Sequence, residues 1–159
     1  MPIAALPQNS VRALGSSQVL TDSASLVKEL IDNAIDGRAT TISVDISLNT
    51  LDDIRVKDNG HGIAPLDRSL ACTMHCTSKI RDLVDLRDIG GRSLGFRGVA
   101  LASAAEMSRC LTISTRIEGE ATASELTFGR QGQIARYLEI RIWLCRAHPS
   151  LVKSVHLFR

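Results

Sequence analysis

The stretch that decides the fold runs from Leu26 to Ile63, and it opens inside the segment SLVKELIDNAID at residues 25–36. Apolar residues recur there at the three- and four-residue spacing of an amphipathic helix. The polar residues Glu29, Asn33 and Asp36 occupy the opposite stripe. Because positions four apart lie one above the other on a helix, the Glu29 carboxylate and the Asn33 amide oxygen can face one small volume. This pair suits a water-activating base beside hydrated Mg²⁺, and an ordinary solvated helix face has the same pattern.

The second half of the stretch predicts two strands and a binding loop. Residues 41–47 and 54–57 alternate apolar and polar side chains, which is typical of half-buried strands. The second strand leads directly into DNGHGI at residues 58–63. Glycines at alternate positions permit a positive φ or a close approach of the backbone to a ligand, and a carboxylate at the strand end can accept a hydrogen bond from a base amino group. Asp-Asn-Gly alone is typical of a hairpin turn, but the preceding helix and strand favour a site.

The remaining elements follow from caps, glycines and alternation. Thr21, Asp22 or Ser23 can cap the main helix, and Gly37 is placed to end it. A long glycine-containing connection covers residues 64–98 and predicts a functional or mobile segment with short helices at 67–76 and 82–86. Beyond it, the pattern predicts a helix from Gly98 to Met107 and strands at residues 111–117, 123–128 and 138–144.

Composition places the chain among globular proteins with one domain. The sequence has 159 residues and a net charge of +2, which is too small to indicate nucleic-acid binding by itself. Its apolar runs are too short to span a bilayer and its start lacks the pattern of a signal peptide, so we expect an intracellular protein. The four cysteines lack paired CxxC spacing, which favours free thiols over a metal site: Cys72, Cys76, Cys110 and Cys145.

The motifs together resemble a known family. ELIDNAIDGRAT at residues 29–40, followed by VKDNGHGI at 56–63, is similar to the ATP-binding domain shared by gyrase, ATP-dependent chaperones, histidine kinases and MutL. CTSK at 76–79 and GFRGVAL at 95–101 resemble the (H/Y)xTSK and GFRGEAL motifs of MutL mismatch-repair proteins. The resemblance covers residues 3–128, and the opening segment is similar to the eukaryotic post-meiotic-segregation branch of that family.

This resemblance implies an α+β, two-layer sandwich of the Bergerat type, in which helices cover one face of a mostly antiparallel sheet. It implies that ATP binds between the main helix, the Asp58 loop and a lid at about residues 64–98. In these roles Glu29 activates the attacking water, Asn33 holds Mg²⁺ and Asp58 reads the adenine amino group. The implied nucleotide-binding residues are Asn33, Asp36, Asp58, Gly60, Gly62, Ile63, Thr77, Ser78, Lys79, Gly95, Phe96, Arg97 and Gly98.

The resemblance also implies partners and a location. A MutL-type protein pairs with a family paralogue, works with a MutS-type mismatch-recognition complex and contacts DNA in its full-length form. It needs ATP and Mg²⁺, acts in the nucleus and involves no membrane.

Two rival functions remain open on the sequence. A histidine-kinase domain passes phosphate to another histidine and needs no water-activating carboxylate, so Glu29 disfavours it. A non-catalytic or weakly active fragment is the other rival, because Val99 replaces the glutamate of GFRGEAL and the second domain that supplies a lysine to the terminal phosphate is missing. We therefore expect very low ATPase activity.

The last part of the chain departs from the family pattern. Residues 130–159 carry basic side chains with Glu139 as the sole acidic residue. This bias fits a DNA-binding extension or an altered end, and the second interpretation is preferred because the family pattern stops where the bias begins. The sequence therefore predicts an ATP-binding domain of residues 1–129 and a divergent basic tail, with a sheet incomplete at its C-terminal end.

Overall fold

The computed structural model describes residues 4–5, 22–48, 53–77, 99–141 and 153–158 of the chain. The helices in these ranges are α1 (Ser23–Asp36), a 3-10 helix (Pro65–Leu70) and α2 (Ala100–Met107). The strands there are β1 (Ala4–Ala5), β2 (Ile42–Ile46), β3 (Asp53–Asp58), β4 (Cys76–Thr77), β5 (Cys110–Thr115), β6 (Thr122–Phe128), β7 (Ile134–Arg141) and β8 (Lys153–Phe158).

Helix α1 begins and ends where local chemistry favours it. Asp22 has an extended backbone, and its Oδ1 accepts a hydrogen bond from the Ser25 N–H at 2.7 Å. At the other end the Gly37 N–H donates to the Asn33 carbonyl at 3.0 Å. A side-chain oxygen before the first turn and a glycine after the last satisfy backbone groups that a helix leaves without partners. The predicted cap at Asp22 and the predicted stop at Gly37 are confirmed.

Six strands form one antiparallel sheet in the order β2-β3-β8-β5-β6-β7. Strands β1 and β4 pair separately, with Ala4 opposite Thr77. In β3 the side chains of Ile54, Val56 and Asp58 are buried and alternate with half-buried neighbours, and β5 shows the same alternation. The two-residue period therefore turns one face of the sheet towards the core, as the sequence predicts.

Both α-helices cover that buried face. Leu26 and Leu30 of α1 and Ala104 and Ala105 of α2 join the side chains of the sheet in one hydrophobic cluster. The strand members of the cluster are Ile54, Val56, Leu111, Ile113, Leu126 and Phe128. Two layers around one core are the expected solution for an amphipathic helix and a sheet with one apolar face. The predicted α+β sandwich is confirmed.

Within the described residues, the tail contributes two strands to this sheet. Strand β7 pairs with β6, and β8 pairs with β3 on one side and β5 on the other. Within KSVHLF at 153–158, residues 154–157 alternate polar and apolar side chains, a period-two pattern that is typical of a strand. Because β8 lies between β3 and β5, it joins the two halves of the sheet. A boundary of the family-like domain at residue 129 stays a prediction.

Two further expectations concern thiols and membranes. Cys72, Cys76 and Cys110 are free, and burial raises the pKa of the Cys72 and Cys76 thiols, which keeps them protonated and unreactive at neutral pH. Of the helices in the described ranges, none is both long enough and apolar enough to cross a membrane.

Candidate functional site

The first component of the site is the polar stripe of α1. Glu29 and Asn33 are both half-buried and lie one turn apart, and Asp36 is the last residue of the helix. The buried side of the same helix presents Leu26 and Leu30 to the core. The helix therefore places a carboxylate and an amide oxygen together at its partly exposed edge, as predicted.

Asp58 ends strand β3 on the face that α1 covers. Its cross-strand partners are Ile42 of β2 and Lys153 of β8, and it shares its face with Ile54 and Val56. Only 4% of Asp58 is exposed, and its Oδ1 accepts a hydrogen bond from the Gly60 N–H at 3.0 Å. Burying a carboxylate costs free energy unless polar groups form hydrogen bonds with it, so Asp58 is not an ordinary solvent-exposed aspartate. It suits a carboxylate that recognises a hydrogen-bond donor.

The middle of the loop lies directly against the end of α1. A Cβ atom on Gly60 would come within 2.6 Å of the Gly37 carbonyl oxygen, so only glycine fits without a shift of the backbone. The same oxygen accepts a hydrogen bond from the His61 N–H at 2.9 Å. Gly62 has a φ of 70°, which glycine adopts without strain. Gly60 is therefore needed for close approach and Gly62 for its backbone conformation.

Asn59 fastens the start of the loop, a role that the sequence did not reveal. Its Oδ1 accepts hydrogen bonds from the N–H groups of Thr40 at 2.8 Å and Thr41 at 2.9 Å, and its Nδ2 donates to Thr40 Oγ1. The Asn59 N–H also donates to the Thr41 carbonyl. These contacts join the loop to the connection between α1 and β2. In DNG an asparagine at this position indicates only a turn, so its distant partners could not be read from the motif.

Ile63 closes the loop, and both of its backbone polar groups have side-chain partners. Its N–H donates to Thr115 Oγ1 at 2.8 Å, and its carbonyl accepts from Arg68 Nε at 3.1 Å. Its side chain packs against the hydrophobic core. Thr115 and Arg68 are thus further site residues, and neither belongs to a recognised motif.

Arg68 is buried between the loop and the hairpin of β5 and β6. Its Nη1 donates to Ser124 Oγ at 2.8 Å, and its Nη2 forms an ion pair with Glu120 Oε2 at 2.6 Å. Asp67 beside it is buried as well. The start of the predicted lid is therefore anchored to the sheet by a 3-10 helix, which replaces the longer helix predicted at 67–76. The lid itself, at about residues 64–98, stays a prediction.

The lowered pKa of Glu120 makes the stability of this anchor depend on pH. Burial raises the pKa of Glu120, but the Ile117 N–H and the Arg68 guanidinium outweigh burial and hold the pKa below its ordinary value of 4.5. A carboxyl with a lowered folded-state pKa stabilises the fold above its unfolded pKa, and this stability is lost as the pH falls through the folded pKa. Glu120 therefore stabilises the anchor at neutral pH.

We expect Glu120→Gln to lower the free energy of unfolding at about pH 7. This gap from wild type should be smaller at about pH 3, because the stabilisation by Glu120 is lost as the pH falls from the ordinary pKa of 4.5 through the lowered pKa of the folded state. Urea denaturation at the two pH values measures the gap. Glu118→Gln is the control, because Glu118 is an exposed carboxylate in the same turn between β5 and β6. A Glu120→Gln gap of equal size at both pH values would contradict the assignment.

The phosphate side of the predicted site is described only in part. Helix α2 begins at Ala100 and packs against α1, and Val99 precedes it without a side-chain cap. Backbone N–H groups of a first turn have no partners within the helix, which suits phosphate oxygens. Thr77 lies in β4. The other predicted phosphate-side residues lie outside the described ranges, namely Ser78, Lys79, Gly95, Phe96, Arg97 and Gly98.

The donor set of α1 fits magnesium. Mg²⁺ prefers oxygen ligands, keeps several waters and is held in many nucleotide sites by few protein groups together with phosphates. Among the described residues no group of three or more His, Cys, Asp or Glu could hold a metal ion alone. The Asn33 amide oxygen beside Glu29 matches a site that is completed by phosphate oxygens and water.

A helix with Glu29 and Asn33 on one stripe, a strand that ends in a buried Asp58 and a glycine loop pressed against the helix end define a nucleotide-binding α+β domain. A family model described as "Histidine kinase-, DNA gyrase B-, and HSP90-like ATPase" matches residues 21–148. The chain belongs to this family.

Individual relatives show which members of this family the chain is similar to. The DNA mismatch repair protein MutL of Colwellia psychrerythraea is 43% identical over 123 residues, which cover 77% of this chain and 18% of that protein. A crystal structure of the N-terminal domain of a DNA repair protein is similar with a TM-score of 0.66 and 29% identity, over 93% of this chain and 38% of that one. The ATPase domain of Aquifex aeolicus MutL, solved with ADP, has a TM-score of 0.55 and 22% identity, over 87% and 42% of the chains.

These relatives confirm the predicted MutL-type domain. The chain spans about a fifth of the length of the curated relative, and the eukaryotic branch stays a prediction.

Proposed function

We propose that this chain is an ATP-binding and weakly ATP-hydrolysing module of a MutL-type DNA mismatch repair protein. The observation that carries the proposal is the buried Asp58 carboxylate, which lies at a strand end beside a glycine loop with fixed geometry. A carboxylate accepts hydrogen bonds and donates none, so it selects the amino group of adenine over the carbonyl oxygen of guanine. A MutL ATPase domain of similar fold was solved with ADP, which supports nucleotide binding by this domain.

The stripe of α1 supplies the chemistry at the phosphate end. Glu29 is half-buried and can take a proton from the attacking water, so that hydroxide character develops next to the terminal phosphate. Asn33, one turn further, would hold Mg²⁺, which neutralises charge on the phosphate oxygens when bound. The N–H groups at the start of α2 bind phosphate oxygens, and Asp36 completes the polar stripe.

The weak activity follows from Val99. The side chain is 7% exposed and stands directly before α2, where the family motif GFRGEAL has glutamate. A carboxylate there interacts favourably with the helix dipole and can fix neighbouring groups by hydrogen bonds, whereas valine does neither. We therefore expect hydrolysis to suffer more than nucleotide binding. A purely nucleotide-binding module is the second candidate function, and Val99 is the observation that favours it.

We expect low but Mg²⁺-dependent release of phosphate from ATP, reduced to background by Glu29→Ala, because that change removes the base and leaves the adenine loop intact. Phosphate release at saturating ATP measures this. Lys28→Ala is the matched control, since Lys28 is on the same helix and its exposed ammonium pairs with Asp32. Turnover that survives Glu29→Ala would exclude Glu29 as the base, and no turnover in wild type would favour the binding module.

The function of the whole protein extends this proposal. We propose that it pairs with a MutL-family paralogue, acts with a MutS-type complex on DNA in the nucleus and uses ATP to change conformation. The MutL relatives support a role in DNA mismatch repair. The nuclear location and the paralogue partner rest on the resemblance of the opening segment to the eukaryotic branch. Transfer of the terminal phosphate to a protein histidine, the histidine-kinase alternative, is disfavoured by the carboxylate at position 29.

A further inference from the structure

The adenine-side loop at residues 58–63 is held differently at its two ends. At its start, Asn59 and Gly60 contact residues of the neighbouring connection between α1 and β2. At its end, Ile63 depends on two side chains from other parts of the fold, Thr115 for its N–H and Arg68 for its carbonyl. The position of Ile63 therefore responds to residues that form no part of the binding motif.

Arg68 is suited to this task because its guanidinium has three separate donors in one rigid plane. Nε faces the Ile63 carbonyl, Nη1 faces Ser124 and Nη2 faces Glu120. With 6% of its side chain exposed, Arg68 is screened little by water, so each contact restricts its orientation. Lysine has one nitrogen and cannot reproduce this fork.

The far contacts of Arg68 are themselves fixed. Glu120 Oε2 also accepts a hydrogen bond from the Ile117 N–H at 2.9 Å, and Ser124 Oγ lies 2.9 Å from the Tyr137 hydroxyl. The guanidinium is thus held by strand β6 and by the turn between β5 and β6, and it transmits their position to Ile63 at 3.1 Å.

We propose that Arg68 is a positioning residue for nucleotide recognition. It fixes the end of the adenine-side loop by holding the Ile63 carbonyl at a set position relative to the hairpin of β5 and β6. This inference rests on the proposed function, because it concerns how the Asp58 loop presents itself to a base. Arg68 acts through Ile63 and touches no nucleotide. Its loss shifts the end of the loop while the Asp58 carboxylate remains.

The proposal is tested by base selectivity in the full 159-residue chain. We expect Arg68→Met to lower the preference for Mg-ADP over Mg-GDP, measured as a ratio of dissociation constants by calorimetric titration, by about 3- to 10-fold, the range of one lost hydrogen bond. Thr115→Val, which removes the other contact of Ile63, is expected to lower the same ratio. Because both act on one residue, their combined effect should be smaller than the product of the single effects.

Three further variants separate positioning from stability. Ser124→Ala removes one hydrogen bond of the same guanidinium but leaves its contacts with Ile63 and Glu120, so it should lower the melting temperature and change the selectivity ratio less than Arg68→Met does. Arg68→Met combined with Glu120→Gln leaves no unpaired carboxylate at position 120, so this double variant should be more stable than Arg68→Met alone. Its ADP/GDP selectivity ratio should match that of Arg68→Met. Arg68→Lys retains the charge and one donor nitrogen and should give an intermediate ratio.

An unchanged ADP/GDP ratio in a folded Arg68→Met or double variant overturns the inference and leaves the proposed function standing. An equal loss of affinity for both nucleotides has the same meaning, because it indicates a general structural role. Absence of any nucleotide binding by wild type overturns the proposed function, and the inference with it.

Discussion

Asp58→Asn is expected to weaken the binding of a non-hydrolysable ATP analogue by about 10- to 100-fold, since a hydrogen bond to a charged group contributes about 1.5–3 kcal/mol. The amide oxygen of asparagine can still accept the Gly60 N–H, so the loop keeps its shape. Its amide nitrogen, however, presents a donor to the adenine amino group, where the carboxylate presents an acceptor. Calorimetric titration in the presence of Mg²⁺ measures the loss.

Two further variants test whether the loss of affinity is specific to Asp58. Glu29→Ala should weaken binding less, because Glu29 faces the attacking water and not the base. Asp45→Asn removes one negative charge from an exposed residue that is paired with Lys57, and it should leave the affinity unchanged. A loss for Glu29→Ala equal to or greater than that for Asp58→Asn would refute the assignment of Asp58 to the base.

Gly132→Ala is expected to lower the free energy of unfolding by about 2–5 kcal/mol. The turn between β6 and β7 has Gly132 at a φ of 73°, and a Cβ there would collide with the carbonyl oxygen of Cys72. A left-handed backbone costs a non-glycine residue about 1–2 kcal/mol, and overpacking adds about 1–3 kcal/mol. Urea denaturation of both proteins measures the difference.

Gly119→Ala is the matched control for this prediction. Gly119 lies in the turn between β5 and β6 with a φ of 88°, and a Cβ there would meet no atom within 4 Å. The two substitutions share the backbone penalty, and only Gly132 adds the collision. We expect about 1–2 kcal/mol for Gly119→Ala. Equal losses at the two glycines would show that the Cys72 carbonyl moves away without cost.

The Cys72 contact bears on the candidate site as well. Cys72 follows the 3-10 helix that carries Arg68, and Gly132 allows the turn between β6 and β7 to approach it. Arg68 contacts Ser124 of β6 on the same side of the sheet. The segment from Arg68 to Cys72, at the start of the predicted lid, is therefore anchored by the hairpins β5–β6 and β6–β7.

The α1 cap at Asp22, the stop at Gly37 and the polar stripe with Glu29 and Asn33 were predictable from the sequence. Each depends on residues within a few positions, where the hydrogen-bond chemistry of caps and the helical repeat act locally. The strand before Asp58 was predictable for the same reason, because its alternation with period two is complete. The MutL resemblance then added roles to these residues that no local pattern contains.

By itself, then, the sequence determined both α-helices, the strands β2, β3, β5 and β6, and the positions of Glu29, Asn33 and Asp58 in the candidate site. The tertiary structure alone decided that β8 lies between β3 and β5, that Gly60 presses against Gly37, and that Ile63 is held by Thr115 and Arg68. The partners of these contacts are distant in the chain, such as Ile63 and Thr115, which are 52 positions apart. Periodicity and caps carry no information over such separations, because the pairing is selected by the packing of the whole core and by the need to satisfy buried polar groups.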